Sequence, residues 1–216
     1  MSAAHESRRE REEWDARYRE RGTESDASAS RWVIECCATL PVDALILDVA
    51  GGTGRHAEPI SRGGRTVVLM DFVHRAVAAA AARCERILGG VADASALPFG
   101  PESFDAIVCV NFLDRSLFDL FGRFLKPGGT LVYETFTRAH LDVVARGRAR
   151  GPRNDAYLLE PGELATLVSP LIVETHDEGL VVDDAGERHV ARVMARKREA
   201  GSRVSSIPDS RFPIPE

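Results

Sequence analysis

The stretch Leu47-Asp48-Val49-Ala50-Gly51-Gly52-Thr53-Gly54-Arg55-His56-Ala57 decides how the rest of the chain is read. It closes the apolar run ALILDVA (44–50), which ends in an acid and then in glycines. That order describes a buried strand turning tightly into a helix, with no bulky side chains in the way of the turn. Backbone N–H groups at such a turn stand open to the polar atoms of a ligand. Gly52-Thr53-Gly54-Arg55-His56-Ala57 also satisfies the G-x-G-x-x-A form of a dinucleotide-binding loop, and a structural loop without a ligand is a third reading.

Outward from this loop the chain alternates. The run RTVVLMD (65–71) ends in Asp71, 17 residues after Gly54. An acid there can accept both hydroxyls of an adenosine ribose, or can cap the helix that starts near Val73. Next come a helical RAVAAAAARCERI (75–87), a strand ILGGVAD (87–93), a strand SFDAIVCVN (103–111) and a helical RSLFDLFGRFL (115–125). A strand GGTLVYETF (128–136) follows, then a helix PGELATLVS (161–169) with Pro161 near its first turn. The strands LIVETHDEGLVV (171–182) and ERHVARVMARK (187–197) flank DDAG, a hairpin turn signal. Apolar strands alternating with helices predict a doubly wound α/β sheet of seven strands with helices on both faces. The hairpin puts one reversed strand into an otherwise parallel sheet.

Upstream, residues 1–27 read as a charged helix and linker in which Trp14 and Tyr18, four apart, share one face. Residues 28–197 read as the folded domain, and 198–216 as a polar, Pro-rich disordered tail. The charge-saturated first segment is a weak helix by itself, suited either to a lid or to packing on a sheet edge.

Composition excludes several classes. Apolar residues make up 44% and charged residues 28%, which is globular rather than disordered. The net charge of −5 argues against a nucleic-acid partner and favours a small molecule. No apolar run is long enough to span a membrane, and the first residues lack the apolar core of a secretory signal. Cys36, Cys37, Cys84 and Cys109 show no metal-ligand spacing and read as reduced thiols of a cytoplasmic protein. The expected state is a monomer or homodimer without metal.

Two further blocks separate the readings of the glycine loop. One has Asp93 at the end of the third strand, then Leu97-Pro98-Phe99 and Ser103-Phe104-Asp105. The other is Leu125-Lys126-Pro127-Gly128-Gly129-Thr130-Leu131. In this order and spacing the four blocks, from about Ala44 to Lys197, resemble the class I S-adenosylmethionine-dependent methyltransferases. The resemblance implies a Rossmann-like fold, S-adenosylmethionine as cofactor and S-adenosylhomocysteine as product. It places Asp48 near the methionine end of the cofactor. Ala50, Gly51, Gly52, Thr53 and Gly54 form its loop, Asp71 holds the ribose hydroxyls, and Phe72 lies against the adenine. Asp93 and the backbone of Ala94 take the adenine edge, and Asn111 faces the methyl-transfer region. The family's first loop glycine is Ala50 here, whose methyl is accommodated at negative φ. Trp14-Asp15-Ala16-Arg17-Tyr18, Asn111-Phe112-Leu113, Tyr133-Glu134-Thr135-Phe136-Thr137 and Arg153-Asn154-x-x-Tyr157 extend the likeness to the small bacterial tellurite-resistance-like methyltransferases. That group includes enzymes acting on soft chalcogen nucleophiles.

The implied activity is in-line methyl transfer to a small nucleophile, with a chalcogen, thiol or oxyanion favoured. Candidates for substrate contact are Asn111, Arg115, Glu134 and Tyr157. His56 and Asp114 stand beside them as residues that packing or capping explains equally well. Arg146, Arg148, Arg150 and Arg153, in a loop after the fifth strand, could hold an anion or be solvated. Trp14 and Tyr18 could cover the cofactor. Two other functions fit parts of the pattern: a nicotinamide-dependent oxidoreductase, and a cofactor-binding relative without catalysis. Asp48 before the glycines, Asp93 and the Lys126-Pro127-Gly128-Gly129 turn stand against the first of these.

Overall fold

The computed structural model describes residues 3–22, 28–149, 151–183 and 186–199. Residues 23–27 of the expected linker, 184–185 of the hairpin turn and 200–216 of the expected tail lie outside the described residues.

Helices α1 (Ala3–Arg21) and α2 (Arg31–Ala38) lead into β1 (Leu45–Val49). Then follow α3 (Ala57–Arg62), β2 (Thr66–Asp71), α4 (His74–Ala81), β3 (Ile87–Val91) and β4 (Phe104–Val110). The chain continues through α5 (Leu117–Phe124), β5 (Leu125–Phe136), α6 (His140–Ala145), α7 (Glu163–Leu167), β6 (Ile172–Asp183) and β7 (Gly186–Arg196). Single 3-10 turns stand at Ala94–Ala96 and Asp155–Tyr157. The seven strands form one sheet in the order β3-β2-β1-β4-β5-β7-β6. Pairing is parallel from β3 to β5, and β7 runs antiparallel to both β5 and β6.

The continuous apolar runs follow from burial on both faces. In β4, Ala106, Val108 and Val110 pack with Val33 and Cys37 of α2 and Val77 and Ala80 of α4. Ile107 and Cys109 point the other way, to Phe118, Phe121 and Phe124 of α5 and Leu164 of α7. A period of two thus feeds two cores with no polar face left over. The outer strand β6 is largely exposed and carries Glu174, Asp177 and Glu178, charges that blunt an open edge.

The structure departs from the expected elements in four places. Helix α4 closes at Ala81 instead of reaching 87, since Arg83–Arg86 must return the chain to β3. Strand β5 starts at Leu125, ahead of the Gly-Gly pair, because Leu125 already pairs with Phe104 across a bulge. A six-residue helix, α6, occupies part of what reads as a loop after β5. Pro161 lies outside α7, which Gly162 introduces at φ 72°.

Arg65 ties these layers together. Its buried guanidinium donates to the carbonyls of Ala38 (2.9 Å), Leu40 (2.6 Å) and Gly63 (3.2 Å), joining the end of α2 to the entry of β2. Arg65→Met strands these carbonyls, so denaturant unfolding should show a loss of about 2–3 kcal/mol.

Candidate functional site

Parallel register carries the strand ends to one edge of the sheet. Asp48 pairs with Leu69 of β2 and Val108 of β4, so the polar ends of β1, β2, β4 and β5 stand side by side. This is the edge where open α/β sheets place ligands.

Asp48 is 2% exposed, and its Oδ2 is buried with no hydrogen-bond partner. Burial, and then the charge of Asp71, push its carboxyl up to about 7. Gly51 leaves it room: a Cβ there would lie 2.7 Å from Asp48 Oδ2 and 2.7 Å from Leu69. Gly54, at φ 80°, lets the loop lie on α4, where a Cβ would meet Ala80 at 2.9 Å. Thr53 is buried between them.

Asp71 is 7% exposed and divides its carboxylate between the loop and α4. Oδ2 accepts from Gly52 N–H (3.0 Å) and Oδ1 from Val73 N–H (2.9 Å). Burial raises its pKa, and these N–H bonds oppose the rise. Asp71 thus bonds locally, to the loop and to the residue that precedes α4. Phe72 follows it, half-buried. Asp93 caps the 3-10 turn at Ala94, accepting from Ser95 N–H (3.0 Å) and Ser95 Oγ (2.7 Å).

Asn111 stands just beyond β4 at φ 58°, and its N–H donates to the Glu134 carbonyl at 2.8 Å. Its Oδ1 is buried without a partner. Glu134 is fully buried. It pairs with Arg188 (3.1 Å) and accepts from Ser30 Oγ (2.9 Å). Arg188 also pairs with Asp183. His56 Nε2 accepts from Ser30 N–H at 3.1 Å, and burial, Arg55 and Arg188 lower its pKa to about 3. His56 is therefore a neutral, packed imidazole.

Arg115 forks onto Glu163 (2.5 and 2.9 Å) and donates to the carbonyls of Ala156 (3.2 Å) and Leu158 (3.0 Å). It fastens the Asp155–Tyr157 turn to α7. Asp114 caps the start of α5 through Ser116 N–H (2.9 Å). The Tyr157 hydroxyl bonds Glu10 of α1. A cleft of about 340 Å³ is lined here by Glu10, Phe112, Asp114, Arg115 and Tyr157. Of the arginine cluster, Arg148 pairs with Glu187 (3.3 Å), Arg146 ends α6, Arg153 is exposed, and Arg150 lies outside the described residues.

Helix α1 lies over this edge. Tyr18 sits on the glycine loop, its hydroxyl 2.7 Å from where a Gly52 Cβ would be. Burial and the Asp71 charge raise its phenol well above the ordinary value. Trp14 packs on Tyr18 at 5.9 Å, and Asp15 reaches Arg75 of α4 at 3.6 Å. Ser30 and Arg188 were not legible as neighbours of this edge. The one signal was a charged residue in a strand whose alternate positions are buried.

The comparisons with known proteins agree with this geometry. Residues 46–129 match the family model described as a methyltransferase domain. The match covers less than half of the chain and likens its core to methyltransferase domains. Over 113 residues it is 35% identical to the demethylmenaquinone methyltransferase of Renibacterium salmoninarum, covering 50% of this chain and 47% of that protein. The chain spans about half the length of the curated relatives it matches. A structure titled for conversion of a disulfide bond into a thioacetal group during echinomycin biosynthesis aligns with TM-score 0.67 at 19% identity. That match covers 88% of this chain and 93% of the other. TehB from Haemophilus influenzae aligns with TM-score 0.63 at 19% identity, over 80% of this chain and 64% of that one. At such identities the likeness is one of fold.

One member of the family's loop departs from the expected geometry. Ala50 has φ 54°, not the negative angle that its methyl favours. A side chain in this region costs roughly 1–2 kcal/mol. Ala50→Gly relieves that strain at the cost of glycine's extra chain entropy. The net gain should be about 0.5–1 kcal/mol in denaturant unfolding.

Proposed function

We propose that this chain transfers the methyl group of S-adenosylmethionine to a small-molecule nucleophile by in-line displacement. The observation that carries the reading is the buried, partnerless Oδ2 of Asp48 beside the Gly51–Gly54 loop. A lone carboxylate oxygen in an apolar strand end fits an ammonium group, and the missing Cβ atoms fit close approach of a chain. When bound, the cofactor supplies a methyl group on a sulfonium, already activated for displacement.

The protein's own residues supply placement. Asp48 holds the amino-acid end and Asp71 the ribose hydroxyls. Phe72, Asp93 and Ala94 hold the adenine. Asn111 borders the methyl-transfer region, and α1, through Trp14 and Tyr18, covers the site against water. Alignment and water exclusion of this kind are worth on the order of 7 kcal/mol or more. The two candidate bases buried at this edge are engaged: Glu134 by Arg188 and Ser30, and the His56 Nε2 by Ser30 N–H. An acceptor that arrives as an anion, such as a thiolate, a chalcogen or an oxyanion, needs no proton removed. Tyr157, Phe112 and Arg115 line the cleft where it would enter.

Calorimetric titration with S-adenosylhomocysteine and NADH tests the reading. S-adenosylhomocysteine should bind, at least about tenfold more weakly to Asp71→Ala; binding of NADH instead overturns the proposal. Asp48 adds a pH signature. Its raised carboxyl must ionise to meet the ammonium, so affinity should fall about tenfold per unit of pH below about 7 and level off above it. Asp48→Asn should flatten that profile. In the ligand-free protein the sign is opposite. The stability this group contributes is fully present below about pH 4 and is lost as pH rises through about 7.

A further inference from the structure

Arg55 is the cation of the glycine-loop segment, and its charge is left without a partner among the described residues. It is half-buried, yet among the described residues its side chain makes no hydrogen bond and no ion pair. Elsewhere the terminal nitrogens of the buried arginines are engaged, those of Arg65 by three carbonyls and those of Arg188 by Glu134 and Asp183, although the Nε of each has no partner among the described residues. The two acids nearest in charge to Arg55 are Glu134 and Asp183, and both already serve Arg188. Arg55 follows Gly54 directly, and its neighbour His56 bonds Ser30, which in turn bonds Glu134 of β5, so this segment lies between the glycine loop and the β5–β7 side of the crevice. Burial and the neighbouring Arg188 guanidinium work against its charge.

A desolvated guanidinium with its fork open matches a group bearing two oxygens, since such pairs bond bidentately. We propose that Arg55 receives a carboxylate or comparable oxyanion in the crevice, at the junction of cofactor and acceptor. This rests on the methyltransferase reading. The anion has two sources, the amino-acid carboxylate of the cofactor or the acceptor itself. In either case Arg55 orients the reacting partners across the crevice, and Arg188 keeps Glu134 from neutralising it.

The test uses the full chain with Arg55→Gln and Arg55→Lys. Titrants are S-adenosylhomocysteine, 5′-methylthioadenosine (which lacks the amino-acid end), and selenite, phosphate and benzoate added to the S-adenosylhomocysteine complex. If Arg55 holds the cofactor's carboxylate, Arg55→Gln should weaken S-adenosylhomocysteine by at least about tenfold and leave 5′-methylthioadenosine unchanged. If it holds the acceptor, S-adenosylhomocysteine affinity stays and an anion that binds the wild-type complex no longer binds the variant. Arg55→Lys should be intermediate in either arm. The melting temperature of ligand-free Arg55→Gln should not fall, since it removes a repelled, desolvated charge. Unchanged affinity for every titrant overturns the proposal, as does a melting temperature lowered by several degrees, which would mark a structural arginine. No binding of S-adenosylhomocysteine to the wild-type chain overturns instead the methyltransferase reading.

Discussion

A carboxylate at the carboxyl end of the central strand, shut away from water and lacking a donor, is the constraint on which the rest of the site depends. Burying such a group costs free energy unless something answers it. Asp48 cannot swing out, because β1 is hydrogen-bonded on both sides and packed on both faces. The chain accommodates it by removing side chains rather than by adding partners. Gly51 clears the carboxylate, and Gly54 draws α4 against the loop. The nearest acid, Asp71, is drawn off to Gly52 and Val73. The result is a buried carboxylate held by rigid elements, its desolvation unanswered among the described residues.

The same edge gathers the other unfavourable features. Three non-glycine residues have positive φ among those described, and two of them, Ala50 and Asn111, follow β1 and β4 at this edge. Asn111 Oδ1 is partnerless there too. Strain of this kind persists where surrounding structure over-determines it, and both residues follow directly from fully paired strands. At the far ends of the strands Lys126 and Asp105 pair (2.8 Å) at the entries of β5 and β4, and Arg65 Nε, at the entry of β2, is also buried without a partner.

The strands and the two loop acids were legible because their signal is local: apolar runs that end in Asp48 and Asp71. The α/β layering followed from the alternation of those runs with helices. What the chain did not announce arises from tertiary contact. No residue near 140 marks α6, which His140 and Val143 bury against β7 and the end of β5. Arg115 looked available for substrate because nothing local predicts Glu163, 48 residues away, as its partner. Glu134 was readable as a buried acid, but its partners Ser30 and Arg188 come from opposite ends of the domain. The angle at Ala50 is set by the Gly51 N–H reaching Met70 O at 3.2 Å, a bond between neighbouring strands that no residue type encodes.

Fold and loop together constrain one half of the crevice more tightly than the other. The half formed by β1, β2 and β3 is short turns and backbone N–H groups, a geometry that tolerates little change. The other half is assembled from α1, β5, β7 and the Asp155–Tyr157 turn, and its parts are joined by side chains: Tyr157 to Glu10, Arg115 to Glu163, Arg188 to Glu134. Side-chain joints can be exchanged without moving a strand, which is how one sheet serves many acceptors. The shape of this half therefore rests on those joints and on where α1 lies against them. Tyr18 on the glycine loop and Glu10 on Tyr157 make α1 an element that touches both halves. A change at the Tyr157 cleft is therefore coupled to the glycine loop through a single, weakly self-stable helix.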